Sequence, residues 1–136
     1  MIKRYELNNN SLPNMPCVHD CIIKEVHINE DFLIFIFEDD ISYHDSIKYI
    51  SPNSKSLIIR YHLIDIFNTY KWKHKLSLTK GEGFILEKND SLIKMAEDRL
   101  EYLYHSVGYQ TVMLKLWSKG SIIVDISADY VEYDWK

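Results

Sequence analysis

The run Phe32-Leu33-Ile34-Phe35-Ile36-Phe37-Glu38 constrains this chain more than any other stretch. Six of its seven residues are apolar, and turn formers bound it on both sides, Asn29-Glu30-Asp31 before and Asp39-Asp40 after. It is short for a helix and rich in β-branched and aromatic side chains, so it reads as a central strand buried on both faces. Just upstream, Val18 to Ile28 alternates, with Ile22, Val26 and Ile28 on one face and Ile23, Glu25 and His27 on the other. The two runs make a hairpin around residues 29–31. Composition points the same way: ten tyrosines suit strands, and only two alanines are available to fill helices.

The rest of the chain repeats the pattern. Residues 1–16 hold Asn8-Asn9-Asn10-Ser11 and two prolines, and read as a lead-in segment. Ile41 to Ile50 reads as a weaker strand or irregular segment. Ser51 to Ser56 is a loop, and Leu57 to Phe67 a third strong strand. In Thr69 to Leu78, Tyr70, Trp72, His74 and Leu76 alternate with Lys71, Lys73, Lys75 and Ser77. That is a one-sided strand with its lysines turned outward. Lys80 to Gly83 is a turn, and Phe84 to Lys88 a short strand or a run into a helix. The single helix expected covers about 90–97, opened by the capping pair Asn89-Asp90, with a strand over 98–106. Three strands then follow at Tyr109–Ser118, Ser121–Ser127 and Tyr130–Trp135, joined by turns at Lys119-Gly120 and Ala128-Asp129. The expected fold is mainly β (α+β): a single domain over 1–136, an antiparallel sandwich or rolled half-barrel of 7–9 strands with at most one or two short helices.

Charge and hydropathy narrow the functions. The formal net charge is −4, which gives no general attraction to phosphate backbones and argues against nucleic acid as a partner. A basic protein is drawn more easily. In Lys71 to Lys75 the aromatics and lysines alternate onto opposite faces, whereas a single-strand binder needs them on one surface. No apolar run reaches the ~18 residues of a membrane span, and the first residues lack the apolar core of a signal peptide. The expected location is cytoplasmic, with both cysteines as free thiols.

Cys17, His19 and Cys21 are the stretch most suggestive of chemistry. In a strand they would share one face, with Asp20 on the other. Thiolate and imidazole are zinc ligands, but neighbours i and i+2 in a strand stand about 7 Å apart, and a fourth ligand such as His27, His44 or His62 would have to come from elsewhere. The plainer reading is a small core residue and a histidine hydrogen-bonded near the start of a strand. A cysteine nucleophile would need a helix N-terminus or a cationic neighbour, and neither is visible. His44-Asp45 and Asp39-Asp40 fit solvated turns. The four glycines build no phosphate loop or dinucleotide fingerprint. These readings lead to an expectation of no enzyme activity and no cofactor. The remaining candidate is a surface near the C-terminus, where Asp125, Asp129, Glu132 and Asp134 stand among Tyr130, Tyr133 and Trp135. Aromatics among carboxylates suit protein binding. Strand alternation there puts Tyr130, Glu132 and Asp134 on one face and Val131, Tyr133 and Trp135 on the other, in the core.

The stretch Val18-His19-Asp20-Cys21, the hairpin through Asp31–Ile41 and the closing Tyr130–Trp135 resemble a loose set of small bacterial proteins, several of them similar to immunity proteins of polymorphic toxin systems. The resemblance spans about a third of the chain and rests on short motifs. It implies a compact α+β or mainly β domain without catalytic activity and a protein partner, a basic toxin when the target is a nuclease. It carries over only His19, Asp20 and Cys21, as a motif without an assigned role.

Overall fold

Nine strands and two short helices form among residues 1–73 and 83–136, which the computed structural model describes. In chain order these are β1 (Ile2–Glu6), β2 (Ile22–Ile28), β3 (Phe32–Phe37), α1 (Asp45–Ile50), β4 (Leu57–Leu63), β5 (Asn68–Lys73), β6 (Gly83–Leu86), α2 (Ser91–Asp98), β7 (Leu100–Gly108), β8 (Thr111–Trp117) and β9 (Ser121–Trp135). The mainly antiparallel β architecture expected from the alternation is what forms. Strands β4, β3, β2, β7, β8 and β9 are successive neighbours, and β4 also pairs with β9, so the ladder rolls round until it meets itself. Closure hides the two edges that an open sheet would expose. The β5–β6 hairpin and β1 lie outside this ring, both attached to β9.

Strand β9 makes that arrangement possible. Its first half pairs with β8 on one side and β5 on the other; its second half pairs with β1 and β4. Ile122, Val124, Ile126 and Ala128 are buried, and then Val131, Tyr133 and Trp135. The inward phase shifts by one residue at Asp129-Tyr130, where the register against β4 also slips, from His62 opposite Tyr130 to Leu63 opposite Ala128. An extra residue of this kind is a β-bulge, which bends the strand and keeps apolar residues inward on both sides of the bend. A turn at Ala128-Asp129 was the sequence expectation. The structure corrects it to one bent strand of 15 residues.

The ring has one thin seam. Strands β2 and β7 share only the pairs Ile22 with Glu101 and Ile23 with Leu100. Helix α2 packs on both strands there, burying Leu92 and Ala96. The interior is filled by cross-strand layers such as Leu33, Tyr61 and Val131, and Phe35, Ile59 and Tyr133. Three tyrosines, Tyr61, Tyr102 and Tyr133, are fully buried.

Further expectations are corrected. Residues 2–6 are a strand, because Ile2 to Glu6 find β9 as a ladder partner. The segment 45–50 is a helix with Ile47 buried. Strand β3 buries Leu33, Phe35 and Phe37 fully, while Phe32, Ile34 and Ile36 are only half-buried. The alternation of Tyr70 and Trp72 with Lys71 is right and its sense is reversed. Register sets Tyr70 beside Ile123 on the outer side and Thr69 beside buried Val124. The strand expected through Leu78 and the turn expected from Lys80 to Gly83 each lie in part outside the described residues. The Lys119-Gly120 turn is present, both residues having positive φ. No helix among the described residues is long and apolar enough to cross a membrane.

Candidate functional site

Cys17, His19 and Cys21 do not share a strand face. Strand β2 begins only at Ile22, and Asp20 has φ of 70°, which turns the chain just before it. Cys21 points into the core and is fully buried. Cys17 and His19 reach instead to one atom, the carbonyl oxygen of Leu103: the His19 ring Nδ1 lies 2.6 Å from it and the Cys17 Sγ 3.7 Å. Leu103 sits where the β7–β8 register slips between Tyr102 and Tyr104, so its carbonyl has no place in the regular ladder. The Asp20 amide donates to the Tyr102 carbonyl at 2.8 Å, and the Tyr102 amide to the Cys21 carbonyl at 2.9 Å. This stretch therefore works as a clasp. It satisfies the bulged carbonyl and continues the β2–β7 seam beyond its two ladder pairs. His19 also stands 3.3 Å from Asp20, both largely exposed.

Burial holds both thiols protonated. It pushes the Cys21 thiol up to about 12, with Glu38 adding to the rise. It also raises Cys17, offset in part by a backbone hydrogen bond from His105. His105 is spoken for on both nitrogens. Nε2 is 3.0 Å from the Met15 carbonyl and so carries the proton, leaving Nδ1 to accept from the Tyr102 hydroxyl. Burial lowers its pKa and keeps it neutral. The geometry thus gives Cys17 no base to activate it. Among the described residues no cluster of His, Cys, Asp and Glu is placed to hold a metal. Glu38 organises a second knot. One carboxylate oxygen accepts from the Ile22 amide at 2.8 Å and lies 3.1 Å from His44, and the other accepts from Tyr43 at 2.5 Å. The knot fixes where β2 begins.

The C-terminal candidates separate cleanly. Val131, Tyr133 and Trp135 are core. Tyr130, Glu132 and Asp134 lie on the outer face, with Asp129 in the bulge beside them. Asp125 belongs to the first half of β9, away from the other four. Register carries the outer face across four strands: Glu6, Tyr130, His62 and Phe32 form one row, and Arg4, Glu132, Arg60 and Ile34 the next. Ile2, Asp134, Ile58 and Ile36 form the third. Side chains in such rows point the same way and touch. The Arg4 guanidinium sits 3.4 Å above the Tyr130 ring. Tyr130 stacks on His62 at 4.5 Å and 8°, and Phe32 meets the His62 ring edge-on at 5.1 Å. His62 Nδ1 lies 2.6 Å from Asp129, and Arg60 lies 3.4 Å from Asp134, a carboxylate that is nearly buried.

Arg4, Arg60 and Phe32 were not among the sequence candidates, and His62 was one only as a fourth metal ligand, not as part of this face. Their signal lies in positions two residues apart within separate strands, and it becomes a surface only once the strand order is known. Comparison with protein-family models, curated proteins and solved structures finds no match.

Proposed function

We propose that this chain is a non-enzymatic protein-binding module of the immunity type, which holds a basic protein partner, such as a toxin, against the outer face of β1, β9, β4 and β3. One observation carries the reading: Arg4, Tyr130, His62 and Phe32 are already stacked before any partner arrives. Arginine and tyrosine are the residues that most often dominate interface energy, and prior stacking lowers the entropy lost when they dock. Around this stack the face carries Glu6, Asp129, Glu132 and Asp134 against Arg4 and Arg60, an acidic excess that matches the net charge of −4. Such a face steers a basic partner and rejects an acidic one.

The test is affinity capture from the host at low ionic strength, followed by expression of the captured protein in a second organism. The captured protein should arrest growth, and this chain should restore it. Tyr130→Ala should weaken binding on the order of 30-fold, and added salt should weaken the wild type. A captured protein that is harmless, or a Tyr130→Ala chain that protects as well as the wild type, overturns the proposal.

A further inference from the structure

The first half of β9 presents a second outer face, of different character. Register places Trp117 next to Ser121, Lys115 next to Ile123 and Met113 next to Asp125, with Tyr104 beyond Lys115 on β7 and Leu86 beyond Tyr70 on β6. Trp117 is 45% exposed, Met113 48%, Tyr104 58%, Leu86 58% and Phe84 43%. Large side chains exposed to this degree leave on the order of 500 Å² of apolar surface on one sheet face, the upper end of what a monomer ordinarily shows. That is a large part of the ~800 Å² each partner gives to a standard interface.

We propose that a second copy of this chain covers this face, making a symmetric dimer that leaves the Tyr130 face open. Area is the first argument. Charge is the second. The face holds Lys115 with Asp125 on the neighbouring strand, and Glu101 beside Trp117 is paired with Arg99 at 3.1 Å, so its charges nearly cancel in a chain of net charge −4. Two such chains repel unless they meet where each is close to neutral, and a two-fold axis sets the lysine of one copy toward the aspartate of the other. A strongly basic partner gains little here and more on the acidic face. A third feature is the sheet edge. Among the described residues strand β6 ends the β9–β5–β6 path, and its Phe84, Ile85 and Leu86 are all exposed with no charge among them. Edges left this apolar favour pairing with another strand.

Sedimentation velocity of the full chain over a range of micromolar concentrations tests this directly. The wild type should sediment as a dimer. Trp117→Glu and, separately, Met113→Glu should raise the dimer dissociation constant about tenfold or more, because each sets a carboxylate in the apolar centre. Far-UV circular dichroism and the thermal midpoint should stay near wild type, since both side chains are half exposed. Two independent variants guard against one that fails to fold. Tyr130→Ala should stay dimeric, so failure of the partner proposal and failure of this one are told apart. A monomeric wild type, or glutamate variants that dimerise as well as the wild type, overturns the dimer. So does a Trp117→Glu chain that loses the captured partner while the wild type alone is monomeric, for the face then belongs to that partner.

Discussion

In the first half of β9, Ile123 and Asp125 stand on a face shared with Trp117, Met113 and Tyr104, where exposed aromatic and aliphatic side chains dominate. In the second half, Tyr130, Glu132 and Asp134 stand among Arg4, Arg60 and His62, where nearly every charge has a partner. Both halves continue one strand and share one buried core. What separates them is the bulge at Asp129, which bends the strand and resets its phase. A single inserted residue thus lets one strand serve two surfaces with different chemistry. The contrast also shows why composition alone misleads here, since an average over the strand would describe neither face.

Deleting Asp129 should break the comparison outright. Without the extra residue the alternation runs unbroken from Ala128 to Val131, Tyr133 and Trp135, but the bend is lost, so β9 can no longer turn from β8 and β5 to β1 and β4 in the register that closes the ring, and His62 loses its Asp129 partner. The expected result is loss of cooperative thermal unfolding, read by near-UV circular dichroism. A deletion variant that melts cooperatively near the wild-type midpoint would remove the bulge from its central place.

The next largest effect is at the extremes of pH, where the core beneath the two halves should fail differently. Burial raises the phenols of Tyr61 and Tyr133, under the second half, and Tyr102 on β7 above the ordinary 10.0. An acid held neutral by folding contributes stability in full below its unfolded pKa and loses it as pH rises, so unfolding should set in above about pH 10. His105, packed under the first half, has a lowered pKa; its contribution is full above 6.5 and is lost as pH falls below that. Replacing His105 with Gln should flatten the acid limb of a urea-stability profile while leaving the alkaline limb as it was. Equal flattening of both limbs would mean the two regions are not separable.

Arg60→Met should have the smallest effect and sharpen the picture of the charged face. It leaves the Asp134 carboxylate nearly buried without its guanidinium, at a cost of about 1–3 kcal/mol. The double variant Arg60→Met/Asp134→Leu should recover most of that in the urea midpoint. A single variant as stable as the wild type would show the pair contributes nothing beyond a surface ion pair.

How much of this was legible follows from where each signal lives. Strands β2, β3, β4, β7 and β8 announce themselves because a few consecutive residues alternate or run apolar between turn formers. The phase shift at Asp129 was also present in the residues, as buried positions changing from even to odd, but alternation broken by Ala-Asp reads as a turn unless the partner strands are known. Strand β1 was missed because its ladder partner lies over a hundred residues away. Helix α1 was missed because Asp45 to Ile50 is too short to show a helical period. The plainer reading of this stretch, a core cysteine and a histidine hydrogen-bonded near the start of a strand, is what Cys21 and His19 form, but the atom that Cys17 and His19 share was not readable. It is a bulged carbonyl at Leu103, and no local pattern marks which carbonyl a sheet will leave without a partner. Of the candidate surface, Tyr130, Glu132 and Asp134 were found together, Asp125 proved to belong elsewhere, and the basic and aromatic half of the stack was invisible until β1, β3 and β4 were set beside β9.

One strand with four partners also has a history during synthesis. Strand β1 takes its only ladder from β9, and β4, β5 and β8 each take one of their two from it, so as the chain emerges from a ribosome each waits with an unsatisfied edge until Ser121 to Trp135 arrive. Contacts this distant along the chain slow folding, and a growing chain in this condition is exposed to association with its neighbours. Strand β9, made after all four of its partners, is therefore the one that decides whether they become a barrel or an aggregate, and any delay before it should be felt in yield long before it is felt in the finished fold.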